Sequence, residues 1–263
     1  MIVAARTGIP RHSQEEFAPR RSKWALLIPV INEGDRIRHE LERAHAAGVH
    51  ELVDIAICDG GSIDGSLEQG FLCSMGVSAL LVKMDSGKQG AQLRMGFCWA
   101  LDRGYEGVLT VDGNDKDSVE SVPQFIDKLE QGFDFIQGSR YLPGGAAINT
   151  PLVRHLAVTF IHAPILSIAA RHRYTDTTNA FRAHSRRYLE HPDVLPFREV
   201  FQGYELLAYL SVRAPRLGLR IAEVPVRREY PACGKTPTKI GFIRGNLNLL
   251  RILFYSLIGK FNP

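Results

Sequence analysis

A chain of 263 residues, 45% hydrophobic and 23% charged, has the make-up of a soluble globular protein and is long enough for one large α/β domain or two small ones. Its net charge of +4 is too mild to require a nucleic-acid partner, and no such partner is expected; an anionic small molecule or an anionic membrane face would suit it equally well. The four cysteines form no C-x-x-C pair, which argues against a zinc knuckle and fits a reducing cytoplasm.

In chain order, residues 1–22 are polar, basic and Pro-containing; they lack the apolar core of a signal peptide and read as a flexible tail. "KWALLIPVI" (23–31) is an apolar run of strand length, suited to a parallel strand buried on both faces. A helix-like segment from Asn32 to Ala47 follows it. "LVDIAICDGGS" repeats the pattern, and residues 64–75 read as helix. "VSALLVKM" (77–84) is a third strand, "KQGAQLRMGFCWALDRG" (88–104) a helix, "GVLTVDG" (107–113) a fourth strand, 119–131 a helix and "FDFIQGSRY" (133–141) a fifth strand. Strands alternating with helices predict parallel βαβ units, with ligands beyond the carboxyl ends of the strands.

The polar clusters all stand at those ends. Asn32 and Glu33 follow the first strand, Asp59, Gly60 and Gly61 the second, and Asp112, Gly113 and Asn114 the fourth. Within nine residues lie Asp112, Asp115, Asp117 and Glu120. Like charges so close repel, and a cation is expected to hold them. After Tyr141 a Gly-Gly loop leads to "LVRHLAVTFIHAPILSIAARHRY" (152–174), a largely apolar segment that reads as either a core helix or an interfacial helix, too short to span a bilayer. "LRIAEVPVRREY" (219–230) is strand-like, and residues 241–263 read as an amphipathic helix closing a domain of residues 23–240.

The blocks "IPVINEG", "CDGGSIDGS", "GKQGAQLRMG", "TVDGNDKD", "QGSRYLPGG" and "TDTTNAFRAHS" stand in the order found in family-2 glycosyltransferases. The chain resembles the dolichyl-phosphate mannosyltransferase-like branch, which includes bacterial polyprenyl-phosphate glycosyltransferases. The resemblance runs from about Trp24 through Lys239. It implies a GT-A fold with a mostly parallel central sheet in a Rossmann-like arrangement, a nucleotide-diphosphate sugar donor, a divalent cation (Mg²⁺ or Mn²⁺) and transfer with inversion. The acceptor it favours is a polyprenyl phosphate at the cytoplasmic membrane face; a saccharide hydroxyl is the alternative. A non-catalytic nucleotide-sugar-binding module is a rival. A nucleotidyltransferase is another, but "INEGD" is acidic where a basic phosphate loop would be needed.

The resemblance also implies roles for particular residues. Pro29, Asn32, Glu33, Asp59, Gly60 and Gly61 fall to the nucleoside pocket, where the glycines allow close backbone approach. Lys88, Arg94 and Gly113 lie where the family meets the nucleotide. Asp112 matches the first acid of the D-x-D motif, with Asn114 in the third position and Asp115 or Asp117 as a further source of charge for the metal. Asn offers a hard cation one neutral oxygen, so binding there is weaker than with two carboxylates. Arg140 and Arg154 match arginines around the transferred phosphates, and Arg227, Arg228, Lys235 and Lys239 a basic loop over the donor. Asp176 and Glu205 are the two candidates for a general base. A phosphate acceptor, already ionised, needs none.

Overall fold

The computed structural model describes residues 7–232 and 242–263. Its strands are β1 (His12–Glu16), β2 (Trp24–Val30), β3 (Asp54–Asp59), β4 (Val77–Lys83), β5 (Gly107–Thr110), β6 (Phe135–Ser139), β7 (Ala146–Ile148), β8 (Arg182–Ser185), β9 (Ile221–Pro225) and β10 (Arg227–Glu229). The helices are α1 (Asp35–Ala46), α2 (Val49–Leu52), α3 (Gln69–Ser74), α4 (Gln89–Asp102), α5 (Val122–Glu130), α6 (Leu152–Ala157), α7 (Ala163–Ala170), α8 (Arg186–Leu189), α9 (Glu205–Arg216) and α10 (Phe242–Leu257). Eight strands form one sheet in the order β1-β4-β3-β2-β5-β8-β6-β9, and β10 pairs with β7 in a small second sheet.

The apolar runs sit in the middle of the large sheet because both its faces are covered. Ala25 and Leu27 of β2, with Ala56 and Cys58 of β3, enter a core shared with α4, α7 and α9. Leu26, Ile28 and Val30, with Ile55 and Ile57, enter the opposite core with α1 and α5. Alternate residues of one strand thus feed two separate cores, which a polar face would not permit. The parallel ladder β4-β3-β2-β5 is the arrangement expected from the alternating pattern.

Three elements differ from the sequence expectation. Part of the stretch read as a flexible tail is a strand: His12–Glu16 runs antiparallel along β4, with His12 opposite Lys83 and Glu16 opposite Ala79. The second difference is β8, from the block "TDTTNAFRAHS", which lies antiparallel between β5 and β6. Its alternation is hidden because it buries a cation and an imidazole. Arg182, 1% exposed, donates to the carbonyls of Thr177, Asn179 and Leu207 and to the Ser211 hydroxyl. His184 packs against the rings of Phe97, Phe135 and Tyr188, and burial with the Arg182 charge pushes its pKa down to about 3.

The third difference is the apolar segment after the Gly-Gly loop. A π-helical turn (Val158–His162) joins α6 to α7, so Leu152–Ala170 is one helix of 19 residues. By length and composition alone it could cross a membrane, against the expectation that it is too short, and only 22% of its 18-residue apolar stretch is buried. Leu166, Ala169 and Ala170 anchor it to the core, while Leu152, Val153, Phe160 and Ile168 face outward. The helix α10 packs on α7 and α9. It buries Ile252 and Leu253 and leaves Leu247, Leu250, Phe254 and Leu257 exposed.

Candidate active site

The carboxyl ends of β2, β3 and β5 meet in a cleft floored by short polar loops. Gln92 of α4 ties two of these ends together, its amide donating to Val30 O and Cys58 O, both at 2.7 Å. Asn32 adopts a left-handed backbone (φ 46°), its N–H donates to the Ser62 hydroxyl at 2.9 Å, and its side-chain oxygen accepts from Ile63 N at 2.9 Å. Asp59 turns back on its own loop and accepts from Ser62 N (3.0 and 2.9 Å) and Ser62 Oγ (2.6 Å), so its carboxylate shapes the turn. Gly61 has φ 97°, a conformation that favours glycine, and Gly60 donates to Val30 O at 2.8 Å. Glu33 is held by Arg36 through two bonds, at 2.9 and 2.6 Å. Pro29 lies in β2 opposite Cys58. A side chain at Gly113 would meet Val30 and Ile28 at 2.8 and 2.9 Å, so this glycine is required by packing.

The acid cluster is held by arginines from distant parts of the chain. Asp112 accepts from Gln89 Nε2 (2.6 Å), Arg228 Nη2 (3.3 Å) and Asn114 Nδ2 (3.4 Å). Arg228 also bonds Asp117, which is fully buried. Burial and the nearby Asp112 push the Asp117 carboxyl up to about 6, against the pull of Arg228. Arg43 of α1 takes the other two acids, at 2.7 Å to Asp115 and 2.7 Å to Glu120. Beneath them Glu40 accepts the Asp115 backbone N–H at 2.7 Å, its carboxyl pushed well up by burial despite that bond. The segment 114–120 and β10 border a cavity of about 630 Å³, with Arg36, Arg43, Arg227 and Tyr230 among its walls.

Cations also gather around one phenol. Arg154 Nη1 donates to Tyr230 Oη at 2.8 Å. The guanidinium centres of Arg154 and Arg228 and the ammonium of Lys116 lie 5.4, 5.9 and 5.3 Å from the Tyr230 ring centroid. Burial raises the phenol's pKa, but Arg228 and Arg154 outweigh it and hold it below the usual tyrosine range. Arg154 stands in α6, at the foot of the exposed apolar helix.

Several expected site residues have partners of their own within the protein. Arg140, placed by sequence at the transferred phosphates, forms a buried pair with Asp176: Nε–Oδ2 is 2.7 Å and Nη2–Oδ1 is 3.0 Å. Asp176 also accepts from Thr178 N at 3.0 Å. Burial pushes the Asp176 carboxyl up, yet the charge and hydrogen bonds of Arg140 prevail and keep it below its ordinary value. In this structure the carboxylate is fully engaged by Arg140 and Thr178. Arg94 is 2% exposed on α4 and donates to Gly8 O. Lys88 stands exposed at the N-terminus of α4, with its N–H on Gln202 O at 2.8 Å. Arg227 is exposed and bonds Glu229. Glu205 opens α9 and accepts Gly203 N at 2.6 Å; it is the candidate base that remains partly accessible. Lys235 and Lys239 lie outside the described residues.

The donor set suits a divalent cation poorly. Among the described residues there is no cluster of three or more His, Cys, Asp or Glu that could hold a metal. Asp117 is turned to Arg228, and Asp112 shares that guanidinium. The buried oxygens there without a hydrogen-bond partner include the neutral Oδ1 of Asn114 and the second carboxylate oxygen of Asp117, whose first is bonded to Arg228. The sequence reading missed Lys116, Gln89, Tyr230 and Arg43. A lone lysine inside "DGNDKD" was the available signal for the first; the other three reach the site only through the fold.

The strand-end cleft and the topology define a GT-A fold. The crystal structure of glucosyl-3-phosphoglycerate synthase from Mycobacterium tuberculosis in complex with Mn²⁺, UDP and phosphoglyceric acid superposes on 90% of this chain and 78% of that one, with a TM-score of 0.60 at 18% identity. A second complex, with Mn²⁺ and UDP-glucose, matches at TM-score 0.60 and 18% identity over 90% of this chain and 78% of that one. In sequence the chain is homologous to the polyprenol monophosphomannose synthase of Mycolicibacterium smegmatis, 28% identical over 76% of this chain and 75% of the relative. It is likewise homologous to the undecaprenyl-phosphate mannosyltransferase of Micrococcus luteus, 29% identical over 76% of this chain and 81% of the relative. No family model matches the chain.

Proposed function

We propose that this chain is an inverting hexosyltransferase that moves a sugar from a nucleotide-diphosphate donor to a polyprenyl phosphate at the cytoplasmic face of a membrane. The observation that carries this reading is the position of Arg154: a guanidinium paired with Tyr230 stands on the helix whose outer face is apolar. A lipid phosphate needs that combination, a cation for the head group beside an apolar surface for the chain. The names of the relatives support the acceptor and suggest mannose as the sugar. The nucleoside falls to the loops of Asn32, Glu33, Asp59 and Gly61, and the diphosphate to the cleft between Asp112, Lys88 and Arg228. The acceptor oxygen attacks the anomeric carbon as the bond to the diphosphate breaks, and the bonding pair leaves with the nucleoside diphosphate. Turnover assays with polyprenyl phosphate and UDP, GDP, CDP and dTDP sugars test the reading. Transfer to a saccharide hydroxyl with none to the lipid would reject it.

Peripheral membrane association follows from the same surface. Leu152, Val153 and Phe160, with Leu247, Leu250 and Phe254 of the adjoining α10, are exposed apolar side chains on two helices. The chain should co-sediment with anionic liposomes, and Phe160→Asp with Val153→Asp should reduce the bound fraction at least about fivefold, since each loses roughly 1.5–3 kcal/mol of apolar burial. Unchanged sedimentation of the double variant would remove this face from the membrane contact.

A further inference from the structure

We infer that Lys116 and Arg228 supply the positive charge that a divalent cation would otherwise bring to the donor diphosphate. This rests on the donor-site reading above. Arg228 lies between the two carboxylates a metal would need, bonding Asp117 and standing 3.3 Å from Asp112. Gln89 takes the other oxygen of Asp112 at 2.6 Å. What is left for a metal is the shared carboxylate of Asp112, the second oxygen of Asp117 and the neutral Oδ1 of Asn114. Donor count alone does not decide, because Mg²⁺ is often held by one or two carboxylates together with substrate phosphates. Charge decides. Lys116 stands between Asp115 and Asp117 in the chain, is 8% exposed, and converges with Arg154 and Arg228 on Tyr230. An ion seated against Asp112 would face the Arg228 guanidinium, 3.3 Å from that carboxylate, with Lys116 adding to the positive field, in a partly buried site where repulsion is weakly screened.

A diphosphate meets the opposite situation. Its oxygens can take hydrogen bonds from an ammonium and a guanidinium, both charge-assisted, and the guanidinium is already aligned by Asp117. As the bond from the anomeric carbon to the diphosphate oxygen breaks, both electrons stay on that oxygen. Lys116 and Arg228 then stand where the added negative charge develops.

The test is calorimetry of the full chain with UDP, GDP, CDP and dTDP in EDTA, then with Mg²⁺ or Mn²⁺. The expected result is binding of at least one nucleotide with an affinity that metal changes by less than about threefold. A gain of tenfold or more on adding metal overturns the inference and leaves the donor-site reading standing. Binding of no nucleotide under either condition overturns the donor-site reading, and the inference with it. In EDTA, Lys116→Met should weaken binding at least about tenfold, the loss of one charge-assisted hydrogen bond, while Lys116→Arg keeps most of it. Wild-type affinity in a folded Lys116→Met also overturns the inference. If that variant melts before titration, the wild-type comparison decides alone.

Discussion

Arg140→Ala is expected to destabilise the fold by about 3–5 kcal/mol, because it leaves a buried carboxylate without its partner. Asp176 is fully buried, and Arg140 meets it through two side-chain bonds and a backbone N–H at 3.3 Å. Arg140→Ala/Asp176→Ala should recover part of the loss, since the uncompensated charge is gone. The pH dependence separates this role from catalysis. In the native protein Asp176 titrates below its ordinary value, so its contribution is present above about pH 4 and is lost as pH falls through the folded value. In Arg140→Ala the guanidinium's charge and bonds are gone, burial is opposed by the backbone N–H groups of Thr178 and residue 140, and the same carboxyl is raised. Asp176 then favours the folded state below about pH 4 and opposes it as pH rises towards 7. Urea unfolding at pH 4 and pH 7 reads both signs. Equal stability of wild type and variant at pH 7 would return Arg140 to the phosphates.

The second large effect concerns the acceptor. Arg154→Ala should lower turnover with polyprenyl phosphate at least about a hundredfold, on the order of 3 kcal/mol, through loss of a charge-assisted contact to the acceptor phosphate. Glu205→Gln should cost less than about tenfold, because an ionised phosphate needs no deprotonation. A hydroxyl acceptor reverses the ranking, since loss of a general base typically costs roughly a hundred- to ten-thousandfold. The comparison is made at saturating donor with a radiolabelled sugar. A dead Glu205→Gln beside a largely active Arg154→Ala would reject the lipid-phosphate mechanism.

The half of the chain built from apolar strands is legible in its sequence because each such strand is buried twice, and continuous runs such as "ALLIPV" follow from that. The polar ends of these strands are legible for the same reason: a buried strand that stops in acids and glycines stops at a cleft. The partners of the acids are not. Arg43 lies on a helix face and Arg228 more than a hundred residues downstream, and neither has a local signature. Arg140 and Asp176 match family positions but close on each other, and only the fold brings together groups so far apart in sequence. The strand β8 escapes because Arg182 and His184 break the apolar pattern while the tertiary structure satisfies or covers them.

The insertion of β8 also constrains the order of assembly. The ladder β4-β3-β2-β5 uses residues 24–110 and can pair as soon as they have left the ribosome. Its β5 edge then has no neighbour until Arg182–Ser185 arrive, because β6, made earlier, pairs with β8 and not with β5. During that interval the nascent chain carries an apolar, hydrogen-bond-hungry edge, the kind on which chains cross-pair. A fragment ending before Arg182 would keep that edge permanently, and its fate is aggregation rather than a smaller working enzyme.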